Sequence, residues 1–419
     1  MASWRPIKVS ENGRYFVDAA GDPFFWLGDT AWPLFAQYTR DEAETYLDAR
    51  AGQGFNVAQA VLAWGGGTGY EANAPGPNYL GDAPWLEDPA HPNDAYFQHV
   101  DHLARYAAER GIVLAMLPTW GYYVNDVQAL TPDSARAYGR WLGERYRQQP
   151  NIVWVNGGDR IPTGFESTYR ALAEGLREGD GGAHLITYHP CGWRSSGQFW
   201  HQEPWLDFNM IQTWTDWAKI YPAVAADFGL TPVKPVVLAE PAYETGPEYP
   251  QGPITPHVMR REAWWAFMAG GFFTYGHNQN WRMEPGWLTE LTSAPGATHM
   301  SLLKFIAASR PWWQMVPDQG VFESGVSSER SLNAALRSTD GQCVMAYLST
   351  HCHALIRVDK IEARQARATL LNPATGEERD AGIHSTGNYT GAVFPRASSV
   401  WFSVPGFWED AVLILDAVS

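Results

Sequence analysis

Residues 96–121 read YFQHVDHLARYAAERGIVLAMLPTWG and contain one complete unit of the pattern that predicts the fold. In the first part, which ends at Gly111, apolar residues recur near helical spacing, as on the buried face of an amphipathic helix. A glycine commonly marks the end of such a helix. The second part is a short and mainly apolar run, which is typical of a strand buried on both faces of a parallel sheet.

The same unit recurs along the chain from about residue 22. Further helical segments occupy 41–54, 135–150 and 167–179. Gly54 and Pro150 stand just before the next apolar run, where helices commonly end. The eight apolar runs are FFWLGDT (24–30), FNVAQAVLAW (55–64), IVLAMLPTWG (112–121), NIVWVNGGD (151–159), HLITYHP (184–190), FNMIQTWT (208–215), PVVLAEPAYE (235–244) and GGFFTYGHN (270–278). Eight strands with helices between them predict the α/β class and a closed (β/α)8 TIM barrel.

A second domain is indicated by a change of pattern near residue 316. Short alternating strands follow, and turn signals such as NPATG (372–376) separate them at the spacing expected for a β-sandwich. We therefore predict a catalytic barrel in residues 1–316 and a small all-β sandwich domain in residues 317–419. The opening segment, with a turn from Asp18 to Pro23, predicts a hairpin that caps the bottom of the barrel.

The composition limits the classes of partner. The chain has 419 residues, with 30 Lys and Arg against 45 Asp and Glu, a net charge of −15, and no basic run. Binding to a phosphate backbone requires a basic surface, so we expect no nucleic acid partner. The 21 Trp exceed what a core alone usually requires, and they point to flat-faced ligands such as sugars. Core packing is the alternative for each Trp taken singly.

Membrane segments and metal motifs are not evident in the sequence. No run of ~18 apolar residues predicts a membrane span, and the amino terminus lacks the apolar stretch of a signal peptide, so we expect a cytoplasmic protein without a membrane partner. Cys191, Cys343 and Cys352 are widely spaced and form no CxxC pair, which predicts neither a disulfide framework nor a zinc site. The segment His351-Cys352-His353 looks metal-like but has no further ligand cluster nearby. We expect no metal and no cofactor, and the oligomeric state is left open.

Polar and aromatic residues are concentrated at the carboxyl ends of the predicted strands, where barrel enzymes place their catalytic groups. Asp159 follows two glycines at the end of the fourth run, and Glu240 follows a mainly apolar run. A carboxylate buried there without a purpose would be costly. Glycosidic cleavage needs two carboxyl groups, one to protonate the leaving oxygen and one to attack or stabilise the anomeric carbon. We therefore predict Asp159 and Glu240 as the catalytic pair.

Each of these residues also has a structural interpretation. Asp159 could pair with Arg160 or cap the next helix, and Glu240 could be a salt-bridged barrel residue. Asp29 is assigned to substrate binding, against the alternative that it holds the following loop in shape. Glu244 is also the reserve candidate for a catalytic carboxylate. The other predicted substrate-binding residues end strands or directly follow them: Trp32, Gln59, Trp120, Asn156, His189, Gln212, Trp214, Tyr243, Glu244, His277 and Trp281.

Five ordered motifs extend over most of the chain. They are GxPFFWLGDTAW (21–32), GFNVxQ (54–59), NGGD (156–159), EPxYE (240–244) and GxxxYGHN (271–278). The chain resembles the apiosidase-like barrels of glycoside hydrolase family 140, which carry a carboxyl-terminal β domain of the collagen-binding type. The resemblance implies that Asp159 is the general acid/base and Glu240 the nucleophile of a retaining enzyme that releases terminal β-apiose. Many related retaining barrels have Asn-Glu where this chain has Gly158-Asp159, which leaves the stereochemistry open.

The main functional hypothesis is a glycoside hydrolase that cleaves a terminal pentofuranosyl residue, apiose before arabinofuranose, from a plant glycan or glycoside. An arabinofuranosidase, or another glycosidase of the same barrel, is the nearest alternative. A non-catalytic carbohydrate-binding protein is an alternative from another class. Such a protein would need aromatic faces and amides more than a pair of carboxyl groups.

Overall fold

The computed structural model of the chain contains a (β/α)8 barrel followed by an all-β domain. Each of the eight apolar runs forms one parallel strand, which confirms the predicted fold class. The strands, labelled in chain order, are β1 (Leu27–Thr30), β2 (Val57–Ala63), β3 (Val113–Thr119), β4 (Ile152–Gly157), β5 (Ile186–His189), β6 (Asn209–Gln212), β7 (Val236–Glu240) and β8 (Phe272–Tyr275). The structure describes residues 6–65, 72–247, 249–250, 252–387 and 398–418.

The barrel closes in chain order, with the ladder running β5-β4-β3-β2-β1-β8-β7-β6, and a short ninth strand, Arg194–Ser195, pairs antiparallel with the free edge of β6. At the seam between β5 and β6, individual hydrogen bonds replace the regular ladder. The Asp207 amide donates to the Ile186 carbonyl at 2.8 Å, and the Asp207 carboxylate accepts from the Ile186 amide at 2.6 Å. The Thr187 hydroxyl donates to the Phe208 carbonyl at 2.6 Å. These bonds pair edge groups that an open sheet would leave exposed.

Helices cover the outside of the barrel. The first begins at a capping box, in which Thr39 and Glu42 each accept from the other's backbone amide. No helix in the described part of the chain is long and apolar enough to cross a membrane. The helices are α1 (Arg40–Gly52), α2 (Asp94–Glu109), α3 (Gly121–Asn125), α4 (Pro132–Tyr146), α5 (Glu166–Asp180), α6 (Gly197–Trp200), α7 (Ile220–Phe228), α8 (Pro256–Met268), α9 (Asn278–Arg282), α10 (Trp287–Ser293) and α11 (Pro295–Ala308).

The opening segment covers the amino-terminal end of the barrel. Its three short strands pair antiparallel, and the second and third form the predicted hairpin. The buried Phe16 ring lies 5.0 Å from the ring of Phe208 and 5.6 Å from that of Phe272, at the starts of β6 and β8. This packing closes the end of the barrel opposite the carboxyl ends of the strands. The three strands are Lys8–Val9, Phe16–Val17 and Pro23–Phe24.

Two antiparallel sheets form the carboxyl-terminal domain and share one apolar core. Val344 and Leu413 enter this core from the larger sheet, and Ile356 and Phe402 enter it from the smaller one. The larger sheet contains Met315–Pro317, Ala334–Ser338, Cys343–Leu348, Ala411–Val418, Gln365–Leu371 and Glu378–Ser385, and the smaller contains Phe322–Ser324, His353–Arg357 and Ser399–Ser403. The first strand pairs within this domain, so the predicted boundary between residues 316 and 317 falls inside that strand.

Candidate active site

A cavity of about 330 Å³ opens at the carboxyl ends of the barrel strands. Its size is at the lower end of the range for small-molecule sites, roughly 300 to 1,000 Å³. Aromatic rings form most of its wall, and both predicted catalytic carboxyl groups lie in it. The lining residues are Trp32, Trp64, Trp120, Asp159, Arg160, Gly192, Trp193, Gln212, Trp214, Glu240, Tyr243, Tyr249, Trp281 and Arg282.

A turn that contains two glycines presents Asp159 at the end of β4. Gly157 and Gly158 have φ angles of +86° and +109°, which glycine adopts without the steric cost of a side chain. A Cβ on Gly158 would lie only 2.6 Å from Cε3 of Trp120. Asp159 itself has a φ of +54°. The NGGD sequence therefore turns the chain tightly against Trp120 and directs the next carboxyl group into the cavity.

The last residue of β7 is Glu240, whose carboxylate lies beside two polar side chains. Nε2 of His189 lies 3.1 Å from its Oε2. The Tyr243 side chain is close enough that burial and the negative charge of Glu240 raise the pKa of its hydroxyl. The Tyr243 hydroxyl accepts in turn from Nε1 of Trp32 at 2.8 Å. Since an indole N–H can only donate, this bond leaves the tyrosine proton available for Glu240.

The carboxyl groups of Asp159 and Glu240 face each other across the cavity. One oxygen of each, together with a ring nitrogen of His189, lies within 4.8 Å of the others. Burial and the negative charge of Glu240 raise the pKa of Asp159 to about 7, although the side-chain amide of Gln212 donates to it at 2.9 Å. Burial lowers the pKa of His189, but the contact with Glu240 outweighs this effect, so the pKa is raised. The site therefore contains an acid that keeps its proton near neutral pH.

The raised pKa of Asp159 has a consequence for stability. The folded protein keeps a proton on Asp159 up to a pKa of about 7, whereas the ordinary pKa of Asp is 3.8. The unfolded chain therefore binds fewer protons in this window, and stability is lost as the pH rises through it. We expect Asp159→Asn to melt at a higher temperature than the wild type at pH 7 and above, with a smaller difference at pH 4. Thermal melting of both proteins from pH 4 to pH 8 measures this difference, and one independent of pH would contradict the raised pKa.

Seven of the predicted substrate-binding and aromatic residues come together with the carboxyl pair. His189 contacts Glu240, and its ring lies 5.3 Å from that of Trp32. The six others line the cavity directly: Trp32, Trp120, Gln212, Trp214, Tyr243 and Trp281. These residues are the geometrically supported part of the predicted site, and their contact with substrate remains a prediction.

Asp29 is placed away from the cavity. Its Oδ2 accepts from Nε of Arg50 at 2.5 Å and from the hydroxyl of Tyr46 at 2.7 Å, and both Asp29 and Arg50 are 1% exposed. The strand-end position suggested substrate binding, but this side chain turns outward to α1. These contacts favour a structural role for Asp29, but they fix the strand to α1 rather than hold the following loop in shape, which was the predicted alternative.

Gln59 and Asn156 are buried supports rather than parts of the cavity wall. The Gln59 amide donates at 2.8 Å to the carbonyl of Ala239, the residue before Glu240, so it anchors the end of β7. The Asn156 amide donates at 3.1 Å to the carbonyl of Tyr169 on α5, which places it between the barrel and its helix layer. Neither lines the cavity.

Glu244 and His277 also lie outside the cavity lining. The Glu244 carboxylate accepts from the Tyr275 hydroxyl and, at 3.2 Å, from the Gly296 amide, so it fixes the loop after β7. His277 is 1% exposed, and burial lowers its pKa to about 4. Glu244, the reserve candidate for a catalytic carboxylate, therefore makes structural contacts instead.

The cavity includes six residues that the predicted site did not contain. Some belong to loops, where the strand pattern carries no signal. Trp193 is the exception, because its position could have been noticed in the sequence. It follows the end of β5 by four residues, and Trp32 and Trp214 also follow the ends of their strands. The six are Trp64, Arg160, Gly192, Trp193, Tyr249 and Arg282.

The same carboxyl pair is also the place to consider a metal. Asp159, His189 and Glu240 are the one group of three potential ligands found within the described residues. Three such side chains could coordinate a cation, but glycoside cleavage by two carboxyl groups requires no metal ion. The segment 351–353 contributes to no such group in the described chain, and Nδ1 of His353 instead contacts the Ser403 hydroxyl at 2.7 Å.

Comparison with known proteins identifies the family of this chain. The model of a family described as "Apiosidase-like, catalytic domain" matches residues 10–314. One similar solved structure, described as a glycoside hydrolase, has 28% identity and a TM-score of 0.88 over 99% of this chain and 97% of its own. A glycoside hydrolase family 5 protein from Bacteroides vulgatus ATCC 8482 has 27% identity and a TM-score of 0.87 over 98% and 93%. No curated protein sequence matches the chain.

These matches support part of the resemblance noted in the sequence. The numbered family 140 and the collagen-binding type of the carboxyl-terminal domain stay predictions, because the matches name neither. The family match covers the barrel, including the cavity and both carboxyl groups, and the two similar structures cover nearly the whole chain. The chain belongs to the apiosidase-like family and is a glycoside hydrolase that acts on a carbohydrate substrate.

Proposed function

We propose that this enzyme removes a terminal pentofuranosyl residue from a plant glycan or glycoside with retention of configuration, and that the residue is β-apiose in preference to arabinofuranose. The observation that carries this proposal is the carboxyl pair, whose nearest oxygens are within 4.8 Å of each other. Retaining glycosidases hold their carboxyl groups about 5 to 5.5 Å apart, and inverting ones about 6.5 to 9.5 Å apart to admit a water. Nearest oxygens lie closer together than the centres of the two groups, so this distance agrees with retention, and the resemblance to retaining barrels carries the rest of that assignment.

In the first step, the Glu240 carboxylate bonds to the anomeric carbon as the bond from that carbon to the leaving oxygen breaks. Asp159 donates its proton to the leaving oxygen, so the second sugar or aglycone departs as a neutral alcohol. The pKa of about 7 suits this role, since about half of the Asp159 groups still carry a proton at neutral pH and can donate it to the leaving oxygen. The product of this step is a covalent glycosyl ester on Glu240.

In the second step, water attacks the same carbon and the ester bond to Glu240 breaks. Asp159, now a carboxylate, takes a proton from the attacking water and returns to its starting state. Two displacements at one carbon give net retention. The His189 and Tyr243 contacts to Glu240 supply donors for its carboxylate when it is released.

The choice of a small terminal sugar rests on the family description and on the shape of the cavity. Trp32, Trp120 and Tyr243 are each no more than 3% exposed and enclose one side of the carboxyl pair. An enclosed wall leaves no path for a chain to continue past the cleaved sugar. The geometry does not separate apiose from arabinofuranose, so the family description carries that preference.

A non-catalytic carbohydrate-binding protein fits this geometry less well. Hydroxyl recognition does not require two buried carboxyl groups this close together, since burial and their mutual repulsion raise the pKa of Asp159. A binding protein would gain from an amide in place of either group.

The proposal is tested with aryl β-apiofuranoside and aryl α-arabinofuranoside, assayed in the presence of methanol. Methanol intercepts the covalent intermediate and yields a methyl glycoside that does not mutarotate, so NMR can read its configuration. We expect faster release from the apioside, with methyl β-apiofuranoside as the transfer product. Faster release from the arabinofuranoside would replace the sugar assignment, and a methyl α-apiofuranoside would contradict retention.

A further inference from the structure

Two indoles at the edge of the active-site cavity are exposed to solvent. Trp193 and Trp214 are 52% and 37% exposed, whereas Trp32 and Trp120 in the same cavity are each 2% exposed. The exposed rings have centroids 5.1 Å apart and planes at 68°, so they form a corner with two open apolar faces. The cavity therefore has a buried wall on one side and an open, indole-lined edge on another.

Both exposed tryptophans have a backbone conformation that is unfavourable for residues with a side chain. Trp193 has a φ of +62° and Trp214 a φ of +46°, in the left-handed region that glycine occupies more readily. The left-handed backbone costs conformational free energy, and the burial of a half-exposed side chain offsets little of it. Backbone outliers of this kind concentrate at functional sites, where the direction of a side chain matters more than local stability.

The segment that carries Trp214 is hydrogen-bonded to the backbone of Glu240 and to the carboxyl group of Asp159. The amides of Thr213 and Trp214 donate to the backbone carbonyl of Glu240 at 3.1 Å and 3.4 Å. Gln212, two residues before Trp214, donates its side-chain amide to Asp159 at 2.9 Å. The register between β6 and β7 shifts here, because Ile211 pairs with Leu238 and Gln212 with Glu240, which leaves Ala239 of β7 as an extra residue. Irregularities of this kind commonly redirect side chains near active sites.

We propose that Trp193 and Trp214 form the leaving-group subsite and that this corner binds a pyranosyl ring across the scissile bond from the terminal sugar. The inference rests on the proposed function, because it takes Asp159 as the acid that protonates the oxygen between the two rings. The buried wall encloses the terminal sugar, which leaves the open edge for the departing ring. Sugar C–H groups stack favourably on the negative face of an indole. The two indole faces meet at an angle, so they can contact both a pyranosyl ring and one of its substituents. The methyl group of a methyl glycoside is too small to contact both indoles.

The test compares kcat/KM for two substrates that share the terminal sugar, a pentofuranosyl-pyranoside disaccharide and the methyl pentofuranoside. Both leaving groups are alkyl alcohols, so the ratio of the two values reports contacts beyond the scissile oxygen. We expect a higher value for the disaccharide in the wild type, and a ratio about tenfold lower in Trp193→Ala and in Trp214→Ala. Trp401→Ala is the matched control, since that indole is 61% exposed in the carboxyl-terminal domain. A ratio that is unchanged in both cavity variants would overturn the inference.

A second readout does not depend on turnover. In saturation-transfer NMR with a methyl pyranoside, the wild type should saturate the ring protons of one sugar face, and each cavity variant should lose this pattern. Equal patterns in the wild type and in both variants would overturn the inference. Absence of hydrolysis of both substrates by the wild type would instead count against the proposed function, and the NMR result would still decide whether the indole corner binds a pyranosyl ring.

Discussion

Asp159→Asn and Glu240→Gln are expected to lower turnover by orders of magnitude, with a different dependence on the leaving group. General acid/base catalysis contributes roughly 10²- to 10⁴-fold, so Asp159→Asn should lose about this factor with a sugar leaving group. The loss should be smaller with a dinitrophenyl group, which departs without a proton. Glu240→Gln removes the atom that attacks the sugar, and should lose about 10⁴-fold or more with both substrates. Steady-state kinetics with the two substrates measures both patterns.

Azide distinguishes the two roles further. It is a small anion that needs no base, so it should restore turnover of an activated substrate by Asp159→Ala and give the β-glycosyl azide. In Glu240→Ala the azide should occupy the place of the lost carboxylate and give the α-glycosyl azide. Glu244→Gln is the control, because this carboxylate lies four residues from Glu240 but outside the cavity lining. Turnover near that of the wild type in Asp159→Asn or Glu240→Gln would contradict the assignment.

Asp29→Asn is expected to destabilise the protein without weakening substrate binding. The Asp29–Arg50 pair is 1% exposed on both sides, and removal of one partner from a buried pair costs about 3 to 5 kcal/mol because the other charge stays buried. Arg50→Met should be as damaging, and the double variant should recover part of the loss. Urea unfolding of the four proteins measures the coupling.

The kinetics of Asp29→Asn separate the two interpretations of this residue. Below its melting temperature, the variant should have the KM of the wild type, since Asp29 contacts Arg50 and Tyr46 and does not line the cavity. A raised KM together with unchanged unfolding would return Asp29 to the substrate site. Gln53, directly after the last residue of α1, offers a matched control, because its side chain contacts Arg50 at 2.7 Å but carries no charge.

The barrel could be predicted from the sequence because strands buried on both faces are apolar up to their last residue, as in β3 and β7. The helices between them have the complementary amphipathic spacing. The all-β domain was predicted less completely. Most residues of Glu378–Ser385 are exposed or only partly buried, so this strand has no apolar alternation to detect. This strand is placed by its antiparallel pairing with Gln365–Leu371. The local sequence does not indicate which strand it pairs with.

The two carboxyl groups could be predicted because strand ends in a closed barrel converge on one mouth. The direction of each side chain could not be predicted in the same way. Asp29 is the last residue but one of β1 and Glu240 is the last residue of β7, yet one turns to Arg50 on the helix layer and the other faces the cavity. The outcome depends on which partner the neighbouring element offers. Tyr249 lies in a loop rich in glycine and proline, where no periodic pattern indicates which ring turns inward.

The most direct test of the central claim is to trap the covalent intermediate with an activated 2-deoxy-2-fluoro pentofuranoside. The fluorine slows both steps by destabilising positive charge at the anomeric carbon, while a dinitrophenyl leaving group keeps the first step fast enough to load the enzyme. Peptide mass spectrometry then locates the sugar. The account predicts one glycosyl group per chain, esterified to Glu240. A label on Asp159 or Glu244, with Glu240 unmodified, would contradict it.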